Sequence, residues 1–185
     1  MTTLKIEIIL GSARENRQSD IIRDWLLREL SEQADIVTTV IDPKDFSLDP
    51  NMPSADLQSR IAQADGFIVL APEYNHGYSG ELKLLIDKAY SQWNAKPVGF
   101  IGYGGMAGGA RSVEQLRQVF CELHAVTMRD FVSFANAPSH FEPDGELAAG
   151  AIQKAQLDRL LSYLRWWGRV LQSARKHTPY EEILN

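Results

Sequence analysis

The residues best suited to chemistry fall in three short loops, each placed between an apolar run and a stretch of helical periodicity. The first loop reads Gly11-Ser12-Ala13-Arg14-Glu15-Asn16-Arg17-Gln18-Ser19. A chain that leaves a strand and enters a helix turns its free backbone N–H groups outward at the positive end of the helix dipole, and that is a place for an anion. Ser12 and Ser19 add hydroxyl donors, and Arg14 can grip two phosphate oxygens at once. No Lys-Ser or Lys-Thr pair closes the loop, so it does not suit a triphosphate. The plainer alternative is that Ser19 is an N-cap and the arginines are solvated.

The second loop is Ala71-Pro72-Glu73-Tyr74-Asn75-His76-Gly77-Tyr78-Ser79-Gly80. It puts two phenol rings beside amide and carboxylate groups. Such a set suits a flat polar ring: Tyr74 and Tyr78 offer apolar walls, while Asn75 and the backbone can meet donors and acceptors along a heterocycle edge. The same residues would also serve as a turn whose tyrosines cover a helix end. The third loop, Gly102-Tyr103-Gly104-Gly105-Met106-Ala107-Gly108-Gly109, has so few side chains that backbone can approach a ligand closely. Its Gly102-x-Gly104-x-x-Ala107 match to a dinucleotide fingerprint is accidental, because that motif belongs after the first strand of a domain.

These loops need elements to hold them. Leu4 to Leu10 is short, rich in β-branched residues and stopped by Gly11, which predicts a buried strand. Ile21, Ile22, Trp25, Leu26 and Leu30 recur at helical spacing after the first loop, with Ser19 or Asp20 as cap. Asp35 to Ile41 reads as the second strand. The proline-marked segment 42–54 reads as a surface loop, and a short helix follows over roughly residues 55–64. Gly66 to Ala71 is an apolar run of the kind buried on both faces of a parallel sheet.

The stripe Leu82, Leu85, Ile86, Ala89 and Trp93 predicts one amphipathic helix before Pro97 opens a fourth strand, Val98 to Gly102. Val113, Leu116, Phe120 and Leu123 predict the next helix, with Ser112 and Gln115 at capping-box spacing. Ala125 to Phe134 supplies the fifth strand. A final helix carries Leu157, Leu160, Leu161, Leu164, Trp167 and Leu171, and a polar tail over 175–185 is expected to be flexible or to meet a second subunit. Strands alternating with helices predict an α/β chain of one domain, 1–185, with a parallel sheet between two helical layers. In such sheets ligands sit at the carboxyl ends of the strands, which is where all three loops emerge.

Composition narrows the function. The chain has 185 residues, a formal net charge of -5 and a single cysteine, Cys121. An acidic protein does not neutralise nucleic-acid phosphates, and one cysteine cannot close an intrachain disulfide, so a cytoplasmic setting is expected. No apolar run reaches membrane-spanning length, and no membrane partner is expected. Cys121 and His124 lie three apart on one helix, but two isolated ligands do not make a metal site, and a cysteine there is expected in the core. No Gly-x-Ser-x-Gly elbow is present for a serine hydrolase. Trp166 and Trp167 cannot both face inward on one helix, so one of them is a candidate for a subunit interface.

Taken together, the three loops resemble the NAD(P)H-dependent FMN reductase and quinone reductase family of flavodoxin-like proteins. The likeness rests on Gly11-Ser12-x-Arg14 with Ser19, on Pro72-Glu73-Tyr74-Asn75 running on to Gly80-x-Leu82-Lys83 and Ile86-Asp87, and on Gly104-Gly105-x-x-Gly108-Gly109-Ala110 before Leu116-Arg117. It covers about residues 4 to 124. The Pro-Glu-Tyr-Asn run is its most specific part. What the resemblance implies is a five-stranded parallel sheet in the order 2-1-3-4-5, with tightly bound FMN and with NADPH or NADH as reductant. By residue, Ser12, Arg14, Gln18 and Ser19 would hold the FMN phosphate. Pro72, Glu73, Tyr74 and Asn75 would line its ring, and Gly104, Gly105 and Met106 would face it.

Hydride would pass to a small acceptor such as a quinone in a ping-pong order, with no side chain required as a catalytic acid or base. His76 and Tyr78 stand at positions that vary in the family and shape the acceptor pocket. His76 could protonate a quinone oxygen, or it could be a surface residue. A homodimer or homotetramer is implied as well. The readings from other classes are a flavodoxin-type electron carrier without activity of its own and a flavin-dependent redox sensor that docks to a partner.

Overall fold

The computed structural model describes residues 3–184. A parallel sheet in the order β2-β1-β3-β4-β5 forms the middle layer, with β6 also paired to β4. Its inner strands are β1 (Leu4–Leu10), β3 (Gly66–Pro72) and β4 (Pro97–Gly104), and each is buried along nearly its whole length. β2 (Ile36–Ile41) lies at one edge with alternating exposure. That difference follows from coverage: the inner strands carry helices on both faces and are apolar throughout, whereas an edge strand need bury only half its side chains.

Side-chain alternation along the strands builds two cores. Leu4, Ile6, Ile8 and Leu10 of β1, with Ile68, Leu70, Ile101 and Tyr103, face α1 (Ser19–Ser31) and α5 (Gln153–His177). Ile9, Phe67, Val69, Val98 and Phe100 point the other way, against α2 (Ala55–Gln63), α3 (Gly80–Ile86) and α4 (Ala110–Glu122). Each fully buried Leu, Ile or Phe contributes about 1.5–3 kcal/mol, so these two clusters dominate folding. Glu7 interrupts the apolar run of β1 and is 1 % exposed. It is held by the Arg60 guanidinium of α2 at 2.7 Å, which in turn donates to the Val40 carbonyl at 2.8 Å.

Two elements depart from the sequence reading. The apolar stripe from Leu82 to Trp93 suggests one helix, yet α3 ends at Ile86 and a separate 3-10 turn covers Ser91–Trp93. Tertiary bonds account for the break. The Trp93 indole N–H donates to the carbonyls of Ile86 and Ala89, each at 3.2 Å, and the Lys88 ammonium is drawn away to the carbonyls of Asp49 and Met52. The indole ring packs on Phe67 and Phe120 with centroids 4.7 and 5.4 Å apart.

The fifth strand, expected as one piece over Ala125 to Phe134, is split into β5 (Val126–Thr127) and β6 (Val132–Ala135), both parallel to β4. Between them the Arg117 guanidinium binds the carbonyls of Met128 and Arg129, taking groups that a continuous strand would have paired. At the tail, α5 runs to His177 and a 3-10 turn covers Tyr180–Leu184, where the Tyr180 hydroxyl meets His124 Nδ1 at 3.0 Å. Cys121, expected in the core, is exposed. Among the described residues no helix is long and apolar enough to cross a membrane.

Candidate functional site

The carboxyl ends of β1, β3 and β4 open into a cavity of about 470 Å³ lined by Arg14, Glu15, Asn16, Arg17, Gln18, Glu73, Tyr74, Tyr103, Gly104, Gly105 and Asn136. That volume falls within the range of small-molecule sites, about 300–1,000 Å³. A larger cleft of about 560 Å³ lies between α3 and α4, lined by groups such as Ala89, Tyr90, Val119 and Leu123. It gathers none of the loop chemistry, so the smaller cavity is the candidate site.

The first loop supplies the polar end. Helix α1 starts without a side-chain cap: Gln18 occupies the N-cap position and makes no capping bond. The Asp20 N–H makes a long 3.4 Å bond to the Arg17 carbonyl, and among the described residues no side chain competes with a ligand or water for the start of the helix. Ser19, read from sequence as a cap or a phosphate donor, is fully buried, and its hydroxyl has no hydrogen-bond partner among the described residues. The same holds for the Tyr103 hydroxyl, on a residue 3 % exposed at the end of β4. Burial pushes the Tyr103 phenol well above its usual ionisation range. Ser19 lies near enough to pull the other way without meeting hydrogen-bond geometry, so the phenol stays neutral and keeps its proton to donate.

Arg17 is a strut. Its guanidinium pairs with both oxygens of Asp42 at the end of β2, with Asp20 Oδ1 at 3.0 Å and with the Ser12 carbonyl at 2.6 Å. Only 4 % of its side chain is exposed. The bond to Asp42 and the further pull of Asp20 raise the Arg17 pKa, so it is permanently charged. Burial works to raise the Asp42 carboxyl, but the Arg17 guanidinium and the Lys44 backbone N–H outweigh it and hold the group below its usual range. Arg14, by contrast, is exposed and lies over the Tyr74 ring, 3.7 Å from its centroid. Ser12 is buried, shares a 2.8 Å hydrogen bond with the Tyr74 hydroxyl and accepts from the Arg14 N–H at 3.3 Å.

The second loop closes on itself. Tyr74 and Gly77 exchange backbone hydrogen bonds at 2.9 and 3.1 Å around Asn75 and His76, both with positive φ, +50° and +69°. Such a turn prefers Asn-Gly, so Asn75 suits its place, while His76 stands where glycine is favoured, in a backbone region uncommon for side chains though less so for Asn, Asp and His. The Gln115 side chain fixes the turn by donating to the His76 carbonyl at 3.0 Å. Pro72 is buried in the sheet, and Ser79 caps α3 and donates to the Gly11 carbonyl, tying the first two loops together.

Glu73 lines the cavity, and its carboxylate accepts from the Arg111 N–H at 3.1 Å and pairs with the guanidinium at 2.6 Å. This joins the second loop to the start of α4. The third loop turns into α4 through Gly109, at φ +83° and packed so closely on Gly102 and Tyr103 that a Cβ would overlap their backbone. Ser112, expected in a capping box, lies inside the first turn of α4 with its hydroxyl buried and without a partner among the described residues.

The structure thus brings Arg14, Gln18, Glu73, Tyr74, Gly104 and Gly105 onto the cavity wall. Ser12, Ser19 and Pro72 lie buried around it, and Asn75, His76 and Met106 are exposed at the loop tips, with Met106 96 % exposed. Tyr78 is half-buried against the core on the α3 side. Sequence reasoning missed Tyr103 and Asn136. Tyr103 hides in a run read for its glycines; Asn136, at φ +54°, reaches the cavity because its N–H bonds the Gly104 carbonyl at 2.7 Å.

The sequence pattern of the NADPH-dependent FMN reductase family matches residues 4–139. An NAD(P)H-dependent FMN reductase of Schizosaccharomyces pombe is 34 % identical over 122 residues, which cover 58 % of this chain and 61 % of that protein. An NAD(P)H:quinone oxidoreductase of Solanum tuberosum is 31 % identical over 162 residues, 78 % of this chain and 82 % of the other. Among solved structures, an NADH:FMN oxidoreductase in its apo form superposes with a TM-score of 0.69 at 21 % identity, over 89 % of each chain. A flavodoxin from Pseudomonas aeruginosa superposes with a TM-score of 0.57 at 16 % identity, over 91 % of this chain and 99 % of that one.

Proposed function

Since the chain belongs to the NADPH-dependent FMN reductase family, we propose that the cavity at the ends of β1, β3 and β4 holds FMN and that the protein is an NAD(P)H-dependent oxidoreductase acting on a small acceptor such as a quinone. The observation that carries this reading is the cavity itself. One end is a helix N-terminus without a side-chain cap, beside buried hydroxyls unpartnered among the described residues, and the other is glycine backbone near an aromatic loop. Anion donors at one end and close-approach backbone at the other are what a phosphorylated flat ring requires, so the residues present fit FMN.

FMN, when bound, supplies a ring that takes hydride from NADPH or NADH and gives two electrons to the acceptor. Ser12, Arg14, Gln18 and Ser19 would bind its phosphate, with the α1 N–H groups. Pro72, Glu73, Tyr74 and Asn75 would hold one side of its ring, and Gly104, Gly105 and Met106 the other. The Glu73–Arg111 pair keeps the second and third loops at a fixed separation, so the ring slot is built before the ligand arrives. His76 and Tyr78 stand on the loop that borders the slot and would shape the acceptor's entry. Oriented N–H groups and the Arg14 charge stabilise negative charge at this end of the site.

We further read the protein as a cytoplasmic homodimer or homotetramer, a single-domain unit over 1–185. Supporting this are the lone exposed thiol of Cys121 and the large exposed side chains Tyr90 and Trp166, at 65 % and 58 % exposure. The test is turnover. The purified chain loaded with FMN should oxidise NADPH or NADH continuously when a quinone is present. A single reduction with no further consumption would mark an electron carrier instead.

A further inference from the structure

Tyr103 lines the cavity and Ser19 follows Gln18 of its wall, and the hydroxyls of both are unused among the described residues. The hydroxyl of Tyr103 and that of Ser19 are both buried and lack a hydrogen-bond partner among the described residues, although each belongs to a chain segment next to the cavity. Leaving a buried hydroxyl unpaired costs stability, and a Phe at position 103 would fill the same space without that cost. The alternative uses of the groups nearby are closed. The Tyr74 hydroxyl is taken by Ser12, and the charge of Arg17 is spent on Asp42, Asp20 and the Ser12 carbonyl. Arg14 is the cavity's free-reaching cation, but it is exposed and stacks on Tyr74 from above. A phosphate entering at the α1 N-terminus would therefore meet backbone N–H groups and Arg14 at its outer side and hydroxyls beneath.

Resting on the FMN reading above, we infer that Tyr103 is a phosphate-binding residue: its hydroxyl, beside that of Ser19, donates to the terminal phosphate of the flavin and makes the site select a phosphorylated flavin over an unphosphorylated one. The phenol is suited to the task because it remains protonated throughout the neutral range and adds no negative charge opposite the anion. It also comes from β4, an inner strand with partners on both sides, so the donor is fixed in place.

The experiment compares equilibrium binding of FMN and of riboflavin to the full chain and to its Tyr103→Phe variant, with the thermal midpoint of each ligand-free protein measured alongside. A hydrogen bond to a charged acceptor is worth about 1.5–3 kcal/mol, so the variant should bind FMN roughly 10- to 100-fold more weakly. It should bind riboflavin within about twofold of the wild type and melt no lower. Ser19→Ala, which removes the second hydroxyl, should show the same selective loss. Unchanged FMN affinity in Tyr103→Phe would overturn the inference, as would an equal loss for both ligands, since the side chain would then act on the ring or on the fold. Failure of the unmodified chain to bind FMN would instead remove the reading beneath it, and that outcome is seen before any variant is made.

Discussion

Asp42→Asn separates two roles for the first loop. Asp42 lies at the end of β2 and, among the described residues, is hydrogen-bonded to the loop through Arg17, whose guanidinium it pairs with through both oxygens. Removing one partner of a fully buried ion pair costs about 3–5 kcal/mol. Asp42 is 18 % exposed, and Arg17 keeps Asp20 Oδ1 and the Ser12 carbonyl, so a cost of about 2 kcal/mol is expected here. For a chain of this size that lowers the thermal midpoint by about 4–8 °C. The more telling effect is on the ligand. Charge alone says that deleting a carboxylate near a phosphate site should tighten FMN binding. The strut says the opposite: a loosened Ser12–Arg17 segment must be ordered on binding, and affinity should fall by about 5- to 10-fold. Fluorescence titration at fixed ionic strength, with thermal unfolding of the same samples, measures both. FMN affinity equal to or tighter than wild type would refute the strut and return Arg17 to the phosphate.

The other predictions concern the same architecture. Because the Asp42 carboxyl is held below its usual range in the folded state, its contribution is complete above the unfolded value of about 3.9 and fades as pH falls through the lower folded value; the gap in thermal midpoint between wild type and Asp42→Asn should therefore close on acidification below about pH 4. Gly109→Ala should destabilise by about 3 kcal/mol or more, since its Cβ would overlap the backbone of Gly102 and Tyr103 at a positive φ, and a urea melt would show it. His76→Gly relaxes the strained turn and should raise stability by up to about 1 kcal/mol with FMN affinity within twofold, checked by melting and titration. Cys121→Ser should leave the melt and turnover unchanged, while the wild-type thiol reacts with a thiol reagent in the folded state.

Most of the scaffold was legible because its signals are local. The apolar runs of β1, β3 and β4 and the stripes of α1, α4 and α5 are periodic over whole elements, and the order 2-1-3-4-5 implied by resemblance is the order observed. The misread elements are those where distant groups override periodicity. Trp93 caps the carbonyls of Ile86 and Ala89 and so ends α3 early, and Arg117 splits the last strand by binding the carbonyls of Met128 and Arg129. In the site, the loops announced themselves by composition, whereas partnerships did not. Nothing local says that the Arg17 guanidinium reaches Asp42, 25 residues on, or that the Glu73 carboxylate turns to Arg111. Tyr103 carried no signal because it stands in a run read for its glycines, and only its buried hydroxyl, unpartnered among the described residues, marks it as more.

The claim on which the rest depends is that this cavity takes FMN with its phosphate at the start of α1. Titrating the ligand-free chain with FMN and following flavin fluorescence tests it directly. The expected result is saturable binding of one FMN per chain, with free phosphate competing and riboflavin held more weakly. Binding that does not saturate, or equal affinity for FMN and riboflavin, would contradict it.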